Sequence, residues 1–203
     1  MTRAEAITVL ARLIADENIF KNIVSADYED VAGDAWCSPY IGLFQQLGYL
    51  ENLEEDEKIL PDQKITRGEF CELIANMYPI VTTRLNGTKS FPDVDENYRY
   101  KSAVELAGFT GIVGGYEDGT FRPDNLVTRA EVVTMINRMI GRIPSESSVT
   151  VFSDIEGHWA QSQINAAGNT AEKDGVIMWT KGSINKFDEY MQYRSSLTNT
   201  RLK

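Results

Sequence analysis

Three stretches of the chain carry the same apolar stripe. Counted from Thr2, Thr66 and Thr128, positions four, seven, eight, eleven and twelve are Ala6, Val9, Leu10, Leu13 and Ile14; then Phe70, Leu73, Ile74, Met77 and Tyr78; then Val132, Met135, Ile136, Met139 and Ile140. This spacing gathers apolar side chains on one side of a 3.6-residue period, so each stretch is predicted to be an amphipathic helix. Each opens with the same phrase: Thr2-Arg3-Ala4-Glu5, Thr66-Arg67-Gly68-Glu69 and Thr128-Arg129-Ala130-Glu131. Threonine at an N-cap accepts from the N3 amide while glutamate at N3 reaches back to the N-cap amide. Thr2 with Glu5, Thr66 with Glu69 and Thr128 with Glu131 therefore read as capping boxes. A phrase and a stripe that return together roughly sixty residues apart mark a tandem repeat. Helices this short are marginal alone and must bury their stripes on one another, here around an expected pseudo-threefold axis.

A second helical segment repeats ahead of each phrase. Tyr28-Glu29-Asp30-Val31, Phe91-Pro92-Asp93-Val94 and Phe152-Ser153-Asp154-Ile155 share an aromatic, an aspartate and a β-branched residue, followed by Trp36, Tyr98 and Trp159. Helices with inward residues such as Ile41 and Phe44, Val104, or Ile164 and Ala167 come next. They are predicted to close at Gly48-Tyr49-Leu50, Gly111-Ile112-Val113 and Gly175-Val176-Ile177, glycine being the usual terminator of a helix. A loop then leads to the capping box, clearest as Gly114 to Asp124 with its Asp118-Gly119 turn. The last copy decays: Asn185-Lys186-Phe187-Asp188 keeps a capping residue, a cation and an acid at N3, and the stripe is lost beyond it, as at a frayed end. The chain divides as 1–27, the second half of a repeat; 28–90, a repeat with a divergent loop; 91–150, the fullest repeat; and 151–203, a degenerate repeat with a tail. The missing front half of the first copy reads as a piece of a longer protein.

Composition narrows the function. A net charge of -10 and a pI near 4.7 oppose attraction to nucleic acid or to an anionic membrane, and no apolar run is long enough to span a bilayer or to serve as a signal sequence. Any anion site must be local. Cys37 and Cys71 lack zinc-ligand spacing and read as two small buried side chains rather than a bridge. The single histidine, His158, stands at a helix start where capping or exposure outranks general-base work. No serine or cysteine lies in a nucleophile context and no phosphate loop matches its setting, so no enzyme, catalytic residue or cofactor is indicated. Acidic groups around Asp93, Asp95 and Glu96, or Glu117 and Asp118, do not reproduce a twelve-residue calcium loop, and no metal site is assigned.

Capping explains the threonine and the glutamate but not the arginine between them. A cation at N1 opposes the helix macrodipole by roughly 0.3–1 kcal/mol. Two readings stand. Arg3, Arg67, Arg129 and the fourth cation Lys186 could grip an anion beside the helix amides, or each arginine could clamp a nearby aspartate such as Asp62 or Asp124. Four copies weigh toward the anion.

An aromatic-Asp-Val opening, Trp in the first helix, Gly-Ile-Val, Gly115-Tyr116 to Pro123 and Val127-Thr128-Arg129-Ala130-Glu131 together resemble the S-layer homology repeat of bacterial surface proteins. The likeness runs from Met1 to about Tyr190 and is most specific from Phe91 to Ile140. It implies an all-α fold of tandem helix-loop-helix repeats in a pseudo-threefold spindle around a central three-helix bundle. It also implies anchoring at the cell surface or S-layer to pyruvylated secondary cell-wall polysaccharide or another peptidoglycan-linked glycan, the motif arginines gripping the pyruvate carboxylate. On that basis Arg3, Arg67 and Arg129 are ligand residues, Trp36 and Trp159 candidate sugar-facing aromatics, and Gly114 and Gly115 close-approach backbone. An amphipathic setting favours the core for both tryptophans. Gly68 replaces the usual alanine, the acidic loop from Glu51 to Lys64 lacks the Gly-Tyr-x-Asp-Gly signature, and Lys186 sits by a shortened loop, which leaves the groove of Arg129 as the best site. The alternative is a protein-protein or self-assembly module of a surface-layer protein.

Overall fold

In the computed structural model of the 203-residue chain, residues 1–15, 17–77, 88–142, 152–168, 171–173 and 176–178 are described. Asn185, Lys186, Asp188 and Tyr78 lie outside them. The three capping boxes all close. Thr2 Oγ1 accepts from the Glu5 amide at 3.2 Å and Glu5 Oε2 from the Thr2 amide at 2.7 Å; the pairs Thr66/Glu69 and Thr128/Glu131 repeat the exchange at 3.2 and 2.8 Å. They start α1 (Arg3–Ile14), α4 (Arg67–Met77) and α6 (Arg129–Met139). Between and after these run α2 (Glu17–Phe20), α3 (Ser38–Gln46), α5 (Lys101–Phe109) and α7 (Gln161–Gly168). The helices and strands of the described residues are thus all α-helices apart from one short hairpin, β1 (Ala171–Lys173) antiparallel to β2 (Val176–Met178). That hairpin corrects one expectation: Val176 and Ile177 lie in a strand instead of continuing a helix end, in keeping with the strand preference of β-branched residues.

The contacts fall into two compact units, Met1–Val127 and Thr128–Lys203. In the first, α1 packs on α3, α4 packs on α5, and α1 also touches α4. In the second, α6 packs on α7. Each capped helix therefore pairs with the next long helix of the chain. Because α1 meets two partners it buries Ile7 and Ala11 as well as Ala6, Leu10 and Ile14, and Val9 turns outward, 38% exposed. Gly48 and Gly111 end α3 and α5 in the left-handed region, at φ 72° and 76°, where Tyr49 donates back to Phe44 O at 2.9 Å and Val113 to Ala107 O at 3.0 Å. No described helix is long and apolar enough to cross a membrane.

Both cysteines are free and buried. Burial pushes the Cys71 thiol from 9.0 up to about 12. Burial also raises the hydroxyls of Tyr28, bonded to Glu54, and of Tyr98, beside Asp124. Each of these groups holds its proton more tightly folded than unfolded, so the stability tied to it is complete below the ordinary value and is lost as pH climbs through the raised one. The unfolding free energy should accordingly fall between pH 9.0 and about 12, and Cys71→Ala should flatten that slope. Urea melts across this range that show no decline would contradict the burial of all three groups.

Candidate functional site

Two of the three motif arginines are enclosed, and the segment that encloses them comes from the following copy. At α1 the N1 amide of Arg3 donates to Gln63 O at 2.8 Å and the N2 amide of Ala4 to Pro61 O at 3.0 Å. With the capping box closed as well, the helix start keeps no free amide for an anion. The Arg3 guanidinium is 0% exposed. Nη1 donates to Leu53 O and Ile59 O at 3.3 and 3.1 Å, and Nη2 to Glu55 and Glu69 at 2.8 and 2.5 Å. Of the two readings left open, the clamp describes Arg3, with glutamates rather than Asp62 as partners. The acidity of the Glu51–Lys64 loop follows in part from this: Glu55 faces a buried cation.

The same seating recurs at α4. Arg67 and Gly68 donate their amides to Asn125 O and Pro123 O, both at 2.9 Å. Arg67 is 5% exposed; its Nε donates to Phe121 O at 2.9 Å, and its guanidinium lies 4.6 Å from the Phe121 ring centroid and 4.8 Å from that of Tyr116. Gly68 stands where the family pattern has alanine because an added Cβ would overlap the Tyr98 hydroxyl. Gly115 (φ 79°) is required twice over, since a Cβ would also come within 2.8 Å of the Phe91 ring. Gly114 is exposed and its carbonyl accepts from Lys89 at 3.2 Å.

What sets these loops in place is the aspartate of the aromatic-Asp-Val motif, whose role sequence reasoning did not assign. The Asp30 carboxylate accepts the consecutive amides of Ile59 and Leu60 at 3.3 and 2.7 Å. Asp93 accepts those of Phe121 and Arg122 at 2.8 and 2.6 Å. Leu60 and Arg122 are non-glycine residues at φ 52° and 59°, a conformation that costs of order 1–3 kcal/mol and persists only where the surroundings impose it. The signal was present in the sequence as an aspartate repeated at one place in each copy.

Among the described residues of the second unit no loop closes over the corresponding arginine. Arg129 is exposed, and its side chain makes no ion pair or hydrogen bond with a described residue. It borders a cleft of about 480 Å³ between α6, α7 and the turn before α7, lined also by Val133, Phe152, Asp154, Ile155, His158 and Ile164. His158 Nδ1 accepts from the Ala160 amide at 3.1 Å. Trp159 beside it is 65% exposed and Trp36, in the first unit, 62%, so neither joins the core. The turn hydrogen bonds explain this. Ala35, Tyr98 and His158 hold equivalent places, each donating three residues back and accepting from the first residue of the next helix, so Trp36, Arg99 and Trp159 share one outward position. Matching Trp36 to Tyr98 by sequence was one residue out of register.

Capped helix pairs in tandem, with the two described loops of the first unit each seated on the previous copy's helix start, define a class of repeat protein. The S-layer homology domain model matches residues 27–71 and 90–133, and the chain carries repeats of that family. Cell surface glycoprotein 1 of Acetivibrio thermocellus is 29% identical over 81% of this chain and 7% of its own length. The cellulosome-anchoring protein of the same organism is 33% identical over 81% of this chain and 37% of its own. An amylopullulanase of Thermoanaerobacterium thermosulfurigenes is 36% identical over 67% of this chain and 7% of its own. The chain thus spans well under half the length of each of these relatives, and it groups with proteins of the bacterial cell surface and cell wall.

Proposed function

We propose that this chain is a non-catalytic module that anchors its parent protein to the cell wall by binding an acidic, pyruvylated secondary polysaccharide in the α6/α7 cleft. One observation carries the reading: Arg129 is exposed at the mouth of a cleft large enough for a sugar, whereas Arg3 and Arg67 are closed in by loops. In this reading Arg129 grips the ketal carboxylate, and Arg3 and Arg67 hold the loops of the first unit. The likeness to a cellulosome-anchoring protein over 81% of this chain supports an anchoring role. The likeness to 7% of an amylopullulanase fits a binding segment joined to an enzyme.

Loss of a charge-assisted hydrogen bond is worth about 1.5–3 kcal/mol, so Arg129→Ala should weaken co-sedimentation with purified walls at least about tenfold, with the circular dichroism unchanged. Walls stripped of pyruvate should bind the native chain as poorly as the variant binds intact walls. Undiminished sedimentation of the variant would overturn the assignment of this cleft. Binding that survives removal of the whole polysaccharide would point to a protein receptor instead.

A further inference from the structure

One face of α1 is uncovered where the same face of α4 is buried. Counted from the capping threonine, places three, seven and eleven of α4 are Glu69, Leu73 and Met77, which are 5%, 0% and 2% exposed. Glu69 takes the guanidinium of Arg3 there. In α1 the same places are Glu5, Val9 and Leu13; Glu5 is exposed, Val9 is 38% exposed and Leu13 is half-buried. Arg12 is exposed on the same side, since residues 5, 9 and 12 follow the spacing of one helix face. Both charged groups are held in place. Glu5 Oε2 accepts the Thr2 amide at 2.7 Å, and its other oxygen bonds to no described residue. Arg12 Nη2 donates to the Tyr40 hydroxyl at 2.8 Å with the guanidinium 5.0 Å from the ring centroid, and the Phe20 ring packs edge-on against Tyr40, 4.6 Å away. The remaining Arg12 donors bond to no described residue.

An acid and a base, one turn to either side of an exposed valine, make this face complementary to itself when reversed. We propose that a second copy of this chain docks there, α1 packing antiparallel on α1 about a two-fold axis. The axis passes between residues 8 and 9, so Glu5 of each copy stands level with Arg12 of the other and the two Val9 side chains meet between the ion pairs. Glu5 and Arg12 are about 10 Å apart along the helix, and a two-fold uses that separation twice, so one stripe supplies two identical pairs. Because Thr2 and Tyr40 already fix the two side chains, each pair costs less ordering than a surface pair of free chains. One charge of each sign on the face favours a like partner over a strongly acidic or basic one. A single helix face covers less area than a permanent dimer needs, so the association is reversible and falls on dilution. The proposal is independent of the anchoring reading, since none of these residues lines the α6/α7 cleft.

Sedimentation velocity of the full chain, from micromolar to near-millimolar concentration at low salt, should show a monomer–dimer equilibrium that stops at the dimer. Arg12→Glu sets acid against acid at both ends, and Glu5→Lys sets base against base, so each variant alone should dimerise at least about tenfold more weakly. Mixed in equal amounts the two variants should associate again, because an Arg12→Glu chain and a Glu5→Lys chain face each other with opposite charges at both pairs. Glu5→Lys also breaks the capping box of α1, so a third variant leaves the charges alone. Val9→Cys should form a disulfide-linked dimer under mild oxidation, whereas the native chain, with both cysteines buried, should not. A monomer at every concentration, dimers of Arg12→Glu as tight as the native ones, assembly that runs on past the dimer, or Val9→Cys chains that fail to cross-link would each overturn the proposal.

Discussion

Replacing Arg3 by alanine is expected to cost the fold about 3–5 kcal/mol, the range for breaking a buried ion pair from one side. The guanidinium is wholly enclosed and makes four hydrogen bonds, two to carbonyls and two to carboxylates. Glu55 is 48% exposed on its side chain and can turn to water when the cation is lost, so its share is small. Glu69 cannot. It is 7% exposed, and its other oxygen is already committed to the Thr66 amide. Removing Arg3 leaves a carboxylate charge in the interior at the start of α4 and frees the carbonyls of Leu53 and Ile59 at once. The same change should leave glycan binding in the α6/α7 cleft intact at temperatures where the variant stays folded. Urea denaturation together with wall sedimentation tests both halves. A loss of less than about 1 kcal/mol, or a binding defect without a stability defect, would restore Arg3 to the ligand reading.

Arg3 also marks where reading the sequence stopped short. The capped helices were legible because their signals are local: a threonine, a glutamate three residues on, and a stripe of fixed period fix α1, α4 and α6 without reference to the rest of the chain. Gly48 and Gly111 were legible for the same reason, as terminators with positive φ. The function of the arginine was not local. Whether the cation at N1 meets solvent or a carboxylate depends on a loop more than fifty residues away in sequence. The Glu55–Lys58 turn hid that loop further. It places Asp56 and Glu57 at φ 49° and 60°, where the fuller copy uses Asp118-Gly119, so the expected glycine signature was missing although a tight turn formed. Trp36 and Trp159 misled differently. Hydrophobicity places tryptophan inside, but both lie ahead of their helices, where no stripe constrains the direction of a side chain.

Gly42→Ala is the second large effect, and it tests packing against propensity because the two predict opposite signs. Gly42 sits inside α3, and by propensity alone alanine there should stabilise the helix by up to about 1 kcal/mol. The structure predicts a net loss of about 2–3 kcal/mol, toward the upper end of the range for overpacking. A Cβ would overlap the carbonyl oxygen of Val24 and stand 3.0 Å from the Ala26 nitrogen and 3.2 Å from the Ser25 carbonyl carbon. All three obstacles are backbone, and that backbone is tied down: Ala26 donates to Ser38 Oγ at 3.1 Å, while Gln45 bonds both the amide and the carbonyl of Asp27, at 2.9 and 3.2 Å. Relief therefore requires moving residues 24–27, the segment that leads into Tyr28 and Asp30. Since Asp30 fixes the amides of Ile59 and Leu60, a shift there should loosen the loop that closes over Arg3. Combining Gly42→Ala with Arg3→Ala should consequently cost less than the sum of the two single changes. Stabilisation by Gly42→Ala, or strict additivity in the double variant, would show that this segment is not the strut that seats the loop.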